Sequence, residues 1–409
     1  MMQQFLEHNY TIVEFEDKAD IYIINTCTVT NMSDRKSRQI IRRAKMHNPD
    51  GMIIACGCYV QVAKEELEKI PEIDLLLGIN EKNKIVDYVE EYQKNKKQKE
   101  IEDVMKQQDF LDFGDVTYTE KTRAVIKVQD GCNRFCSYCI IPYARGRIRS
   151  RQIKSVVNEI QDIVKNGIKE VVITGIHIAS YGKDFEEPIG LIDLLEEINK
   201  IEGLKRIRLG SIEPTLISED FVRRLKKLDK ICDHFHLSLQ SGCDQTLQRM
   251  NRRYTTEEFR QVVKRLRRNY KEVALTTDII VGFPGESSAE FQKTFQFLKE
   301  IEFYQMHIFK YSPRKGTKAA QMPDQIDGTI KEERSKLLIE LSKINEVKFL
   351  EQAIGTEKEI LFEEKEGNFI KGHTTNYRIV KLKYQPELEN QIKKVFIQSR
   401  NGQELIARG

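Results

Sequence analysis

The chain has no run of apolar residues near the roughly 18 needed to cross a bilayer, and it opens on no secretory segment, so a soluble protein without a membrane partner is expected. It also lacks the scattered cysteine pairs of a disulfide framework. Five of its eight cysteines fall in two tight groups, Cys56 with Cys58, and Cys132 with Cys136 and Cys139. That pattern belongs to a reducing compartment, and the cytoplasm is the expected one. Neither sign of charge dominates, since 67 Lys and Arg stand against 63 Asp and Glu; the net charge of +4 says little about partners, and the distribution of basic residues matters more. Tryptophan is absent, from which nothing follows. What is present is length: 409 residues exceed one domain and predict two or three, with ample core.

The most informative stretch runs from Val128 to Cys139, where Cys132, Cys136 and Cys139 are spaced C-x3-C-x2-C at the end of an apolar run. Thiolates so spaced on one loop can close on a metal or a cluster. A structural zinc normally wants four protein ligands, whereas no fourth Cys or His follows nearby. A [4Fe-4S] cubane held by three thiolates keeps one iron free of protein, open to a small molecule that ligates it and receives an electron directly. Three buried cysteines acting as small hydrophobes, or a zinc with a distant fourth ligand, are the other readings of the same spacing.

With its flanks Asp130-Gly131-Cys132-Asn133 and Ile141-Pro142-Tyr143-Ala144-Arg145-Gly146, this loop resembles the cluster signature of the radical S-adenosylmethionine enzymes. Among them it resembles the methylthiotransferases, which insert sulfur into an unactivated C–H bond and methylate it. The resemblance implies that Cys132, Cys136 and Cys139 bind a [4Fe-4S] cluster whose open iron is chelated by S-adenosylmethionine, which is cleaved reductively to a 5′-deoxyadenosyl radical. It also implies an electron donor such as flavodoxin or ferredoxin.

Taken in order, residues 1–10 read as a helix with Met1, Met2, Phe5 and Leu6 on one stripe, and 11–15 and 21–25 as short strands, the second ending at Asn25-Thr26-Cys27. A helix capped by Ser33 runs toward His47, and residues 52–55 form a strand leading into Cys56-Gly57-Cys58-Tyr59. If these strands are parallel, Cys27 and Cys58 emerge along one sheet edge, where α/β folds keep their ligands. The region resembles the family's amino-terminal domain, whose three cysteines hold a second [4Fe-4S] cluster: Asn25-Thr26-Cys27-Thr28-Val29-Thr30 and Gly57-Cys58-Tyr59 match two of the three ligand motifs. In relatives the third follows a strand that would precede Met1, so a chain lacking its first strand, with an incomplete ligand set, is expected. Cys56 is a poor substitute because it lies a strand step below the loop of Cys58. Two strand-end cysteines in packing roles are the plainer reading. Arg35, Arg38, Arg42 and Lys45 line one helix face, either a basic stripe for a phosphate backbone or a solvated surface. Thr28-Val29-Thr30 and Asp34-Arg35-Lys36-Ser37-Arg38 resemble the family members that act on threonylcarbamoyladenosine in tRNA.

Residues 93–120 are polar, with a charge run at 94–99, and read as a linker between an amino-terminal domain (1–92) and a second domain (121–345). In the second domain apolar strands at 124–128, 171–174, 206–209, 235–239, 274–281 and 306–311 alternate with amphipathic helices. Such repeats imply a partial (β/α)6 barrel with function on the loops at the carboxyl ends of its strands. Strand-exit loops carrying Gly175, Glu213, Gln240 and Arg249 resemble the family's loops around S-adenosylmethionine: a glycine permits close approach, and a carboxylate can meet ribose hydroxyls or an ammonium. Cys232 and Cys243 match no ligand motif and are read as packing residues. No side chain is assigned a catalytic role.

Arg145, Arg147, Arg149 and Arg151 alternate just after the cluster loop, which in an extended segment would set all four on one side as a comb for polyphosphate. After a charged helix near 331–349, an all-β tail (346–409) is too short for a sandwich and reads as a small barrel closing its own edges. Lys371, His373, Arg378, Lys381 and Lys383 make one stretch of it basic, with His373 a surface or RNA contact, and the tail resembles the TRAM domain, an RNA-binding module. Removing it from Glu351 onward is expected to weaken tRNA binding and leave cofactor cleavage intact. The whole is an α/β chain of three domains. The resemblance implies methylthiolation of C2 of N6-threonylcarbamoyladenosine at position 37, in the anticodon arm of tRNA. The alternatives are another modified adenosine or a ribosomal protein as substrate, or an RNA-binding iron-sulfur protein without catalysis.

Overall fold

The β-branched run Ile21-Tyr22-Ile23-Ile24 alternates half-buried with buried residues, as a strand packed on one face does, and opens β1 (Ile21–Thr26). The computed structural model that shows this describes residues 1–96, 98, 100–112 and 122–408; of the expected linker and its charge run, residues 97, 99 and 113–120 lie outside the described residues. Two units are distinguished: one built from Met1–Tyr118, Asp130–Ser150 and Ser312–Gln321, the other from Thr119–Gln129, Arg151–Tyr311 and Met322–Gly409.

In the first unit β1 pairs in parallel with β2 (Met52–Gly57), setting Asn25 beside Cys56 and Thr26 beside Gly57, and β2 pairs with β3 (Leu75–Leu77). The helix Asn31–His47 makes the crossover that parallel neighbours require. Its cap is Thr30, whose hydroxyl accepts from the Ser33 N–H at 3.1 Å, so it starts ahead of the expected Ser33. Ile41 and Ala44 are buried against the sheet. Of the basic stripe, Arg35 and Arg42 are exposed, while Arg38 pairs with Glu66 at 2.9 Å and Lys45 donates to the Gly51 carbonyl at 3.0 Å. Residues 11–15 form no strand: Ile12 and Val13 are exposed, and β propensity without a pairing edge makes none. The first helix is short, Met2–Glu7, and buries Phe5 but not Met2 or Leu6.

In chain order there follow β4 (Arg123–Asp130) and the two-residue β5 (Arg149–Ser150). The second unit then holds β6 (Glu170–Gly175), β7 (Arg206–Leu209), β8 (His234–Gln240), β9 (Ala274–Val281) and β10 (Gln305–Lys310). β4, β6 and β7 are parallel neighbours, as are β8, β9 and β10. Parallel bridges from Ile207 to Ile231 and from Ile212 to Leu237 join the two sets, so six strands make one curled, open sheet. Alternation sorts the side chains. Phe235, Leu237, Leu239, Leu275, Ile279 and Val281 enter the helix-covered core with Leu338 and Leu341 of the helix Gly328–Glu351. His234, His236, Ser238, Thr276 and Asp278, one step out of phase, line the inner face.

The tail is a closed barrel of β11 (Glu357–Glu366), β12 (Phe369–His373), β13 (Ile379–Lys383), β14 (Ile392–Asn401) and β15 (Glu404–Arg408), in the order β11-β12-β13-β15-β14. Its core holds Ile360, Phe362, Ile370, Val380 and Leu405. It is fastened to the curled sheet by buried polar groups. Arg206 donates to the His373 carbonyl at 2.9 Å, and Arg208 to the Thr375 carbonyl at 2.9 Å while pairing with Glu170 at 2.8 Å. The Tyr377 ring stacks on both His234 and His373. His373 and Arg378 are therefore not surface contacts: both are buried, His373 against Glu363 at 3.1 Å and Arg378 against Glu272 at 2.9 Å. Lys381 is held between Glu366 and Glu404.

Candidate functional site

β4 ends at Asp130, and the three-cysteine loop leaves it through Gly131 at φ +69°. A Cβ there would stand 1.7 Å from the Arg147 carbonyl oxygen, so only glycine lets the returning chain pass. The return is fixed by the Cys132 N–H, which donates to the Gly146 carbonyl at 3.0 Å. Within the loop the Arg134 N–H points at the Cys132 sulfur at 3.4 Å, the Cys139 N–H closes on the Cys136 carbonyl at 2.9 Å, and the Ala319 N–H braces the Ser137 carbonyl at 2.7 Å. Cys132, Cys136 and Cys139 are each half-buried. Three half-buried sulfurs on a loop fixed by backbone hydrogen bonds fit a three-thiolate iron-sulfur cluster.

Because β1 and β2 are parallel, Cys27 follows one strand and Cys58 the next at the same sheet edge. Gly57, at φ +107°, turns the chain so that Cys58 opens a short helix, Cys58–Val62. Cys27 is exposed and Cys58 buried. Arg145 Nε donates to the Cys58 sulfur at 3.2 Å, and the same guanidinium reaches Asp130 at 3.5 Å. Burial opposes the charge of Arg145, but Cys58, Asp130 and Cys27 beside it outweigh burial and hold its pKa up. Cys56 points into the core with Phe5, Leu75 and Leu77, and burial pushes its thiol up.

The arginine comb does not form. Arg145 ends the helix Ile141–Arg145, Arg149 is buried beside Asp130 at 3.7 Å, Arg151 is buried against Glu159, and Arg147 is exposed with its guanidinium over the Phe135 ring. The helix takes Arg145 out of the extended segment, and Arg149 and Arg151 turn inward to Asp130 and Glu159, so the four guanidinium groups do not share one side. A residue passed over in the sequence gathers the loop after β1 instead. Arg314 pairs with Asp34 at 2.7 Å and donates to Asn31 Oδ1 at 2.6 Å and to the Thr28 hydroxyl. An arginine in the turn Ser312-Pro313-Arg314-Lys315-Gly316 was its faint signal.

On the second unit's strand exits, Gly175 ends β6 with no room for a Cβ, which would meet the Gln129 carbonyl oxygen at 2.7 Å. Glu213 is buried and accepts from His177 Nε2 at 2.7 Å and from the Thr215 hydroxyl at 2.9 Å; His177 Nδ1 lies 2.7 Å from the Ser180 hydroxyl. His177 was not anticipated as the partner of Glu213. Gln240 ends β8 with a left-handed backbone, φ +73°. Arg249 forks onto both Glu290 oxygens, at 2.7 and 2.9 Å, and onto the Gly285 carbonyl at 3.1 Å, clamping the loop after β9. Cys232 and Cys243 are buried, and burial pushes the Cys232 thiol up to about 12.

A curled sheet of six parallel strands with a three-cysteine loop after the first defines a radical S-adenosylmethionine enzyme, and residues 126–298 match the radical SAM superfamily. Residues 1–78 match a family described as uncharacterized protein family UPF0004. The chain is 41% identical over 97% of its length, and 89% of the relative's, to the threonylcarbamoyladenosine tRNA methylthiotransferase MtaB of Bacillus subtilis. It is 41% identical to MtaB of Aquifex aeolicus over 87% of each, and 37% identical to the tRNA-2-methylthio-N(6)-dimethylallyladenosine synthase of Caldicellulosiruptor saccharolyticus over 91% of this chain and 80% of that one. The chain belongs to the radical S-adenosylmethionine tRNA methylthiotransferases. It is an enzyme whose cofactors are S-adenosylmethionine and [4Fe-4S] clusters. The radical S-adenosylmethionine methyltransferase TsrM of Kitasatospora setae shares its fold, with a TM-score of 0.56 and 16% identity over 76% of this chain and 67% of that one. Among the described residues no helix is long and apolar enough to cross a membrane.

Proposed function

We propose that this enzyme methylthiolates C2 of N6-threonylcarbamoyladenosine at position 37, next to the anticodon of tRNA, in the cytoplasm. The observation that carries the reading is the 41% identity over 97% of the chain to a relative named for that nucleoside. In this reading Cys132, Cys136 and Cys139 hold the cluster that binds S-adenosylmethionine, and Cys27 and Cys58 contribute to the second. Gly175, Glu213, Gln240 and Arg249 shape the cofactor's site, a flavodoxin or ferredoxin supplies electrons, and the closed barrel of the tail serves as a TRAM-like RNA-binding module on the anticodon arm.

Electron transfer and hydrogen abstraction are the chemistry that cluster and cofactor supply when bound. The chain's own part is positioning. Gly131 and the Cys132 N–H fix where the three sulfurs stand. His177 and Thr215 aim the Glu213 carboxylate. Arg145 sets a cation against the Cys58 sulfur, the kind of electropositive setting in which thiolates ligate metals.

The test uses the full chain, reconstituted anaerobically, with anticodon-arm RNAs carrying threonylcarbamoyladenosine or dimethylallyladenosine and mass spectrometry of the digested nucleosides. The methylthio product is expected on the first RNA. Product on the dimethylallyl RNA alone refutes the substrate assignment.

A further inference from the structure

Three side chains from adjacent strands meet on the inner face of the curled sheet: His236 of β8, Asp278 of β9 and His307 of β10. Parallel register sets Asp278 beside His307, and His236 beside Thr276. One nitrogen or oxygen from each lies within 4.8 Å of the others. His236 Nε2 is 3.2 Å from Asp278 Oδ2, and the two imidazoles stack at 5.6 Å between centroids. The other nitrogen of His236 is engaged by the Thr276 hydroxyl at 3.0 Å, and that hydroxyl lies 3.2 Å from the buried His234. His236 is thus aimed from below by buried groups, while the trio faces the open side of the sheet, where His307 is exposed. On the same face Phe309 is 49% exposed and Val125 of β4 is 68% exposed.

We propose that this wall binds the polar N6 substituent of the substrate adenosine; the proposal rests on the threonylcarbamoyl reading above. The relatives' names offer two kinds of substituent. A dimethylallyl group is hydrocarbon, and seating it here would strip water from two imidazoles and a carboxylate while returning no hydrogen bond, which disfavours it. A threonylcarbamoyl group carries a carboxylate, a hydroxyl and a ureido unit, and so offers partners to His307 and Asp278. The imidazole of His307 donates to its carboxylate or carbonyl oxygen, His236 steadies Asp278 from below, and Asp278 accepts from its hydroxyl or ureido N–H. Asp278 also repels the carboxylate, which fixes the direction in which the substituent lies. Phe309, two residues beyond His307, offers a ring face to the base. A divalent cation is the other ligand that two imidazoles and a carboxylate suit, and the experiment separates the two.

Binding of anticodon-arm RNAs to the full-length reconstituted protein is measured by fluorescence anisotropy without reductant, with adenosine 37 unmodified, threonylcarbamoylated or dimethylallylated. Wild type is expected to prefer the threonylcarbamoyl RNA. His307→Leu and Asp278→Asn are each expected to reduce that preference about 10-fold or more, and His307→Gln, which keeps an N–H donor, to retain part of it. Loss shared equally by all three RNAs assigns the trio to the fold and overturns the proposal. An unchanged preference in both His307→Leu and Asp278→Asn overturns it and leaves the substrate reading standing. A wild type that prefers the dimethylallyl RNA overturns the substrate reading itself. Manganese binding that Asp278→Asn abolishes, with RNA preference unaltered, makes the trio a cation site and also overturns the proposal.

Discussion

Replacing Gly131 by alanine should cost the protein its first cluster while leaving the rest of the fold standing. At φ +69° any residue with a Cβ pays roughly 1–2 kcal/mol for the left-handed backbone. The added carbon would lie 1.7 Å from the Arg147 carbonyl oxygen and must retreat to at least 3.0 Å, and a backbone oxygen cannot rotate away. The loop therefore opens, breaking the Cys132 N–H to Gly146 hydrogen bond, worth about 0.5–1.5 kcal/mol. A local destabilisation of about 2–3 kcal/mol thus falls on the segment carrying the cysteines, and the opening exceeds the roughly 0.5 Å tolerance of a preorganised site. The assay is iron and sulfide per chain after anaerobic reconstitution and desalting, in a Cys27→Ser background that isolates this cluster, together with reductive release of 5′-deoxyadenosine. Gly328→Ala is the control, since its Cβ would meet nothing within 4 Å. Wild-type iron content and cofactor cleavage in Gly131→Ala would falsify the reasoning.

Arg208→Met should leave Glu170 fully buried with Arg206, at 3.9 Å, as its remaining cationic partner among the described residues; a loss of about 3–5 kcal/mol, read as a melting temperature lower by roughly 10 °C in calorimetry, is expected. Burial first, then the nearby Arg208, His236 and His307, holds the pKa of His234 well below 6.5. Folded His234 is neutral, so stability is full above 6.5 and falls as the unfolded chain takes up a proton below it, by at most about 1.4 kcal/mol per pH unit; His234→Gln should flatten that part of a melting-temperature profile between pH 7.5 and 5.5. Affinity for the anticodon arm should fall steeply with salt, and Arg35→Ala or Arg42→Ala should each lower the slope of log affinity against log salt by about one if that residue meets a phosphate. Deleting residues from Glu351 onward would bare Arg206, Arg208 and His234, so the remaining barrel should melt earlier or aggregate in a thermal scan; a truncated chain as stable as the full one would refute the account of the buried joint.

The three-cysteine loop was legible because its spacing is local: three cysteines spaced C-x3-C-x2-C share one short segment, and no distant residue is needed to bring them together. The six strands of the curled sheet were legible to within two residues for a similar reason, since apolar runs between amphipathic helices are a short-range pattern. The parallel pairing that carries Cys27 and Cys58 to one edge followed from a helix between two strands. Where a charge would go was not legible. Arg149, Arg151 and Arg378 read as surface cations until buried Asp130 and Glu159 and half-buried Glu272 met them, and those partners come from elsewhere in the chain or across a turn. His373 looked like a surface contact until Tyr377, from the same hairpin, folded back against it and His234. His236, Asp278 and His307 lie in three separate strands, and only register makes them neighbours. Shifting any one strand by a single residue would turn its member of the trio into the helix-covered core, because side chains alternate with a period of two. By itself, then, the sequence determined the three-cysteine loop, the six strands of the curled sheet and the family they point to, all written in contiguous residues; which charges are buried, and which polar groups converge on the open face, was decided by strand register and packing in the tertiary structure.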